Sequence, residues 1–457
     1  MKNIRGLLFG FMALLMIITT ACSGSNNAPP ANNANAADTS NTVSEQPAKE
    51  DVPAPAAEGD AEIRFTWWGD TKRHEIYNAI ADLFEKENPN IKIVREFGSW
   101  NDYWDKLATQ TAGGNAPDVV GMHATQVANY AQRGALLDLT QYVESGVINL
   151  DDFPDAVKEV GKLNDQTVMV AQGVTMTGIF YNKGVLEKLG VEPPDFNWTY
   201  DEFAAKAKEV KDKFNAKDSW GSNDLSSDLT SVMVYARQKG KNLFNDDGSL
   251  GVTKEDMVWW FSFWDKLRKD GITPDAETRA QYATVPLEQS LFVLGKVGFT
   301  AVPYNQIPNY QNFIKEGEVH ALRRPTDPEG QNGEFIEGAY LSISKSSKHP
   351  EAAAKFINFF VNNEEAVKIF KIEQGALGST KANEIVLPTL DPAQQRAVTA
   401  IQDTLEIAGK LPLPPAGQGQ VAQALTDVGE SMAFGQLTPE QAAEEFVTNA
   451  AAILNKK

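Results

Sequence analysis

The apolar positions of this chain change period from element to element. Ile63-Arg64-Phe65-Thr66-Trp67 alternates as a strand does. Past a Gly69-Asp70 turn, Ile76, Ile80, Leu83 and Phe84 fall on one helical face, and Asn88-Pro89 stops that helix. Ile91 to Phe97 reads as a second strand. A helix through Tyr103 and Leu107 ends at Gly113-Gly114, and Pro117-Asp118-Val119-Val120 opens a third, buried strand. This βαβαβ order predicts a parallel sheet covered by helices, a class that binds ligands at the C-terminal ends of its strands.

The pattern restarts further on. Thr177 to Tyr181 is a strand, and Thr199-Tyr200-Asp201-Glu202 is a capping box ahead of Phe203, Ala207, Val210 and Phe214 on one face. Tyr340 to Ser344 reads as a strand, and Pro350 starts a helix with Ala353, Phe356, Ile357 and Phe360 turned inward. Thr438-Pro439-Glu440-Gln441 caps the last helix, which packs through Phe446. No short fixed repeat is present, which excludes a solenoid.

The N-terminal sixty residues read differently. Lys2 and Arg5 precede an apolar run, Leu7 to Ile18, too short to span a membrane, and small residues lead to Cys22, the only cysteine of 457 residues. This resembles a bacterial lipoprotein signal, with Thr19 where a large aliphatic is usual. The resemblance implies residues 1–21 as signal peptide, lipidation of Cys22 and anchorage on the extracellular face of the cell membrane. An ordinary signal peptide with an incidental cysteine is the alternative. Residues 22–60, rich in Ser, Asn, Ala and Pro, read as a disordered tether.

The remaining 400 or so residues exceed one ordinary core and suit two domains. Sixty-one acids against 42 bases give a net charge of -19, which argues against nucleic acid and anionic lipid as partners. Four histidines lack the spacing of a shared metal site, and His74-Glu75-Ile76-Tyr77-Asn78 lacks the second histidine of a zinc-protease helix. Neither a Gly-x-Ser-x-Gly elbow nor a phosphate-binding Gly-x-x-x-x-Gly-Lys loop occurs. No metal or cofactor is called for. With 61 acids available, a carboxylate pair for glycoside hydrolysis stays open, though nothing singles one out.

Several segments, in order, are similar to those of the maltose-binding type of extracellular solute-binding protein family 1. They are Trp67-Trp68-Gly69-Asp70, Ala116-Pro117-Asp118-Val119-Val120, Tyr181-Asn182-Lys183, Pro193-Pro194 with Trp198 to Phe203, Gly295 to Phe299, and Ser344 to Ala353. The resemblance implies an α/β, two-lobe periplasmic-binding-protein-like (type II) fold with hinge strands near 173–177, 333–336 and 387–391. The N-terminal lobe would hold 61–174 and 335–388, and the C-terminal lobe 175–334 and 389–457. It also implies a monomeric receptor, not an enzyme, that passes an oligosaccharide to transmembrane permease subunits served by a separate cytoplasmic ATPase. A surface-anchored glycosidase or lyase is the alternative. The likeness extends to pectin-fragment (rhamnogalacturonan) receptors of Gram-positive bacteria through Trp67-Trp68-Gly69, Arg73-His74, Phe97 to Trp104 and Lys355 to Glu365.

A pyranose has polar edges and an apolar C–H face, so its binders pair aromatic platforms with hydrogen-bonding groups. Trp68, Trp100 and Tyr304 are the candidate platforms, and Trp67 is taken as core. Trp259, Trp260 and Trp264, at helical spacing, are also taken as core, and Trp198 and Trp220 as structural. Candidate polar partners are Asp70 and Lys72 (or a merely solvated loop), then His123, Thr125 and Gln126. Thr175, Thr177 and Glu337 border the crossings, and Asn223 and Asp224 follow a short strand. Arg73 offers a planar fork for a uronate carboxylate, the alternative being that it faces water.

Overall fold

Two sheets and a short antiparallel ribbon, Lys162–Leu163 with Gln166–Thr167, account for the described strands, and the chain first passes between the two sheets through a single residue. The computed structural model describes residues 60–131 and 133–455. The signal, Cys22 and the tether up to residue 59 lie outside them.

The first sheet is built from β1 (Ala61–Trp68), β2 (Ile91–Gly98), β3 (Val119–His123), β4 (Val170–Thr175) and the late strand Glu337–Ile343. β1 runs parallel to β2 and β3. The late strand lies antiparallel between β3 and β4. Helices α1 (Thr71–Glu87) and α2 (Trp100–Ala112) are the crossovers, capped by Asp70 and Ser99. α3 (Val127–Ala131) follows β3. The expected helical face is the one buried: Ile80 and Phe84 are fully covered with Tyr77, and Phe84, Phe65 and Tyr77 meet Phe356 and Phe360 of the helix Pro350–Asn362. Trp67 lies in this core, stacked on Tyr77 at 5.3 Å, with its indole N–H donated to His74 Nδ1.

β5 (Thr177–Asn182) opens the second sheet, joined by β6 (Trp220–Ser222), β7 (Val297–Pro303) and β8 (Val319–Leu322). With these introduced, the late strand Glu337–Ile343 is β9. The order is β8-β5-β7-β6. Alternation along β5 sends Ile179 and Tyr181 to one core with Phe203, Trp260, Trp264 and Phe446, and sends Phe180 to the other face with Phe292, Tyr304 and Ile307. Gly221 is required here, since a Cβ would lie 1.9 Å from the Ala207 carbonyl oxygen. The capping boxes at Thr199 and Thr438 are both formed, and two more stand at Thr253 and Asp391. Trp198 is buried, donating to the Arg323 carbonyl. Trp259 departs from the expectation. It stays partly exposed, stacked on Tyr235 at 4.9 Å, because it takes the outer position of a helix whose Trp260 and Trp264 turn inward.

Near 387–391 the chain makes no strand. A 3-10 turn, Leu387–Thr389, leads into the helix Pro392–Leu405, so this joint is helical.

Candidate functional site

Strand register gathers the predicted residues along two rims, one on each sheet. In the first sheet β1 to β3 are parallel, so Trp68, Gly98 and His123 lie at one edge. β9 is antiparallel to β3, pairing Ala339 with His123, and β4 is antiparallel to β9, pairing Thr175 with Glu337. Thr175 and Glu337 therefore share that edge. In the second sheet Thr177 pairs with Pro303, and Ser222 with Phe299, which places Thr177, Asn223 and the residues after Pro303 at one edge. Met176 is all that separates the two edges, so the C-terminal rim of one sheet adjoins that of the other.

The first rim is aromatic. Trp68 is boxed in by Trp100, Tyr103, Trp104 and His123, with ring centroids 5.1–6.2 Å away. Gly121 makes room for it, as a Cβ there would meet the Trp68 ring at 3.2 Å. Trp68 is only 6% exposed and Trp100 is 40% exposed. Trp100 thus presents the open ring and Trp68 backs it, because Trp100 closes over it at the start of α2. His123 Nδ1 accepts the Thr125 amide at 3.3 Å and lies 2.8 Å from Thr125 Oγ1. Burial pulls its pKa down to about 4, so the ring is neutral at physiological pH, and the accepting Nδ1 leaves the proton on Nε2. Gln126 follows in the same loop, holding the Asn129 amide at 3.2 Å.

The expected grip at the α1 entrance is otherwise engaged. The Asp70 carboxylate caps α1, accepting the Arg73 amide at 3.0 Å, and that hydrogen bond holds its pKa below the usual range. Lys72 is exposed. Arg73 neither faces water nor offers a free fork. Its Nε–H donates to Glu373 at 3.0 Å, and the two side chains are 18% and 15% exposed. The acceptor is three hundred residues away, out of reach of any local pattern.

At the crossing, the Thr175 hydroxyl receives the Asn305 amide at 3.3 Å, and the Thr177 hydroxyl donates to Glu337 at 3.1 Å. Desolvation raises the Glu337 carboxyl despite that bond and the nearby Arg324.

Two expectations on the second rim fail. Tyr304 is no platform. It is wholly buried, donating to the Leu322 carbonyl at 3.1 Å and accepting from Thr404 at 3.1 Å. Its ring fills the place of a side chain at Gly178, where a Cβ would sit 2.2 Å from it. Asp224 is no direct ligand group either. Arg268 and Arg279 hold its fully buried carboxylate at 2.8 and 3.2 Å, and they outweigh the desolvation that would otherwise raise its pKa. Asn223 donates to Thr300 at 2.8 Å beside an open pocket of about 360 Å³, whose wall includes Arg279 and Tyr282. Arg279, Asn305 and Glu373 are the partners of these candidates that sequence reasoning missed, because only tertiary pairing brings them in.

Two sheets meeting at their ligand-binding edges across a one-residue crossing define a two-lobed α/β binding protein. Residues 79–391 match the family of bacterial extracellular solute-binding proteins, and the chain belongs to that family. It is 26% identical to an extracellular solute-binding protein family 1 structure from Alicyclobacillus acidocaldarius, with a TM-score of 0.76, covering 88% of this chain and 100% of that one. An oligogalacturonide-binding protein from Yersinia enterocolitica has the same fold, with a TM-score of 0.74 at 23% identity over 86% of this chain and 99% of its own. The multiple sugar-binding protein of Streptococcus mutans is 23% identical over 336 residues, 69% of this chain and 75% of its own.

Proposed function

We propose that this protein is the receptor of an ATP-binding-cassette importer, capturing an oligosaccharide between its lobes and handing it unchanged to the permease. The carrying observation is the first rim: an open indole, Trp100, backed by Trp68 and flanked by neutral His123. Such a wall matches the C–H face of a pyranose, while Thr125, Gln126 and Asn223 supply hydrogen bonds to its hydroxyls. Names borne by relatives, multiple sugar-binding and oligogalacturonide-binding among them, point the same way.

In this reading the lobes are 61–174 with 335–388, and 175–334 with 389–457. They close by rotation about the Thr175–Thr177 crossing, and the closed form is what the permease recognises. Cys22 carries the lipid that holds the receptor at the extracellular face of the membrane. Changing Cys22→Ala then releases it into the medium, and a variant that stays membrane-bound with normal processing rules the anchor out.

The ligand is proposed to be a neutral oligosaccharide. A pectin fragment would call on Arg73, whose Nε–H is given to Glu373 and Nη1–H to the Trp68 carbonyl. Titration calorimetry with malto-, xylo- and arabino-oligosaccharides against oligogalacturonides tests the choice. Tighter binding of the acidic series restores the pectin reading. Binding of neither series overturns the sugar receptor, and so does hydrolysis of the sugar during titration. In the binding series, Trp100→Ala should weaken affinity by about 0.5–1.5 kcal/mol, the scale of an aromatic contact.

A further inference from the structure

Beside the aromatic rim, a second hollow runs down the flank of α2. It has a volume of about 680 Å³ and is lined by Trp104, Ala108 and Ala112 of α2 and by Gln126, Asn129 and Tyr130 beyond β3. That volume lies within the roughly 300–1,000 Å³ of small-molecule sites. The hollow begins where the rim ends. Trp104 packs against both Trp68 and Trp100, with centroids 5.4 Å away in each case. Gln126 belongs to the same loop as His123 and Thr125.

The lining repeats the aromatic and amide groups of the rim and adds the charged side chains of Asp105, Arg133 and Lys345. Two aromatic rings, Trp104 and Tyr130, lie 6.0 Å apart, and two side-chain amides sit beside them. The buried Trp104 indole N–H has no acceptor among the described residues. Ala108 and Ala112 are exposed on α2 and leave the space between unfilled.

We propose that this hollow is a distal subsite, holding the residues of a long oligosaccharide that extend past Trp100 and out of the cleft. The inference rests on the sugar-receptor reading and adds chain length to it. The receptor then favours chains long enough to bridge rim and hollow, while a disaccharide engages the rim alone.

Calorimetry on the full folded protein with a neutral series, from disaccharide to hexasaccharide, decides the matter. Affinity should climb with chain length by at least about tenfold, or ~1.4 kcal/mol, after the rim is filled. Ala108→Trp, an exposed helix position, should fill the hollow and abolish that climb without changing disaccharide affinity. Ala112→Trp should do the same, and circular dichroism confirms that both variants fold. A wild-type plateau at the shortest chain that binds overturns the subsite, as does an undiminished climb in both folded variants. Intact climb with lost uptake in cells also overturns it, because the hollow would then serve the membrane partner. Failure of every chain length to bind would instead strike the sugar-receptor reading.

Discussion

Replacing Arg73 separates two accounts of the α1 entrance. In one, the guanidinium waits for a ligand carboxylate. In the other, it is a structural cross-link between α1 and the segment around Glu373. The contact is a 3.0 Å charge-assisted hydrogen bond between side chains more than four-fifths covered. Exposed pairs contribute about 0.2–1 kcal/mol, and breaking a fully buried one costs about 3–5. This pair lies between. Arg73→Ala also removes the stem that fills the space beside Gly69, where a Cβ would lie 2.6 Å from Arg73 Cδ. A loss of about 2 kcal/mol is expected for Arg73→Ala and about 1 for Glu373→Gln, whose amide oxygen can still accept the bond. Urea unfolding of Arg73→Ala, Glu373→Ala and the double variant should give a coupling of about 1–2 kcal/mol, read from midpoints at constant slope. Affinity for neutral sugars should change by less than about threefold, or ~0.6 kcal/mol. Unchanged stability with a selective loss of acidic ligands would refute the cross-link and return Arg73 to the sugar.

Two further outcomes follow from groups beneath the crossing. Tyr304→Phe removes one bond to the Leu322 carbonyl and one to Thr404, and should cost about 1–2 kcal/mol of stability while binding stoichiometry stays at one. Glu337 has a raised pKa in the folded state, so the fold keeps its proton where the unfolded chain has already lost it. Its contribution is therefore most favourable below the ordinary carboxylate pKa and is lost as pH rises through the raised value. Glu337→Gln should accordingly be more stable than the parent at neutral pH and level with it near pH 4 in thermal melts. A constant gap across that range would contradict the assignment.

What could be read in the sequence was local. Alternation at Ile63–Trp67 and helical spacing at Ile76–Phe84 describe contacts made within one element, and both elements are present. The boxes at Thr199 and Thr438 are four-residue events and form as written. The solute-binding family was also legible, from the order of its segments. The site was harder, because side-chain exposure depends on what folds over a residue. Trp68 ends β1 and Trp100 opens α2 just past the end of β2, and only the turn into that helix decides which covers the other. Tyr304 follows a strand as a platform would, but Gly178 opens a slot that draws it inward. Arg73 and Asp224 looked free because their partners, Glu373 and the pair Arg268 and Arg279, lie far along the chain.

The place of β9 has a consequence for how the chain comes to be folded. Glu337–Ile343 sits between β3 and β4, so the first sheet has a gap in its middle until residue 343 has been synthesised. A nascent or threading chain presents β1 to β4 early, yet β3 and β4 do not pair with each other in the finished order. Pairings this remote in sequence close slowly. The first sheet is complete only once that strand has arrived.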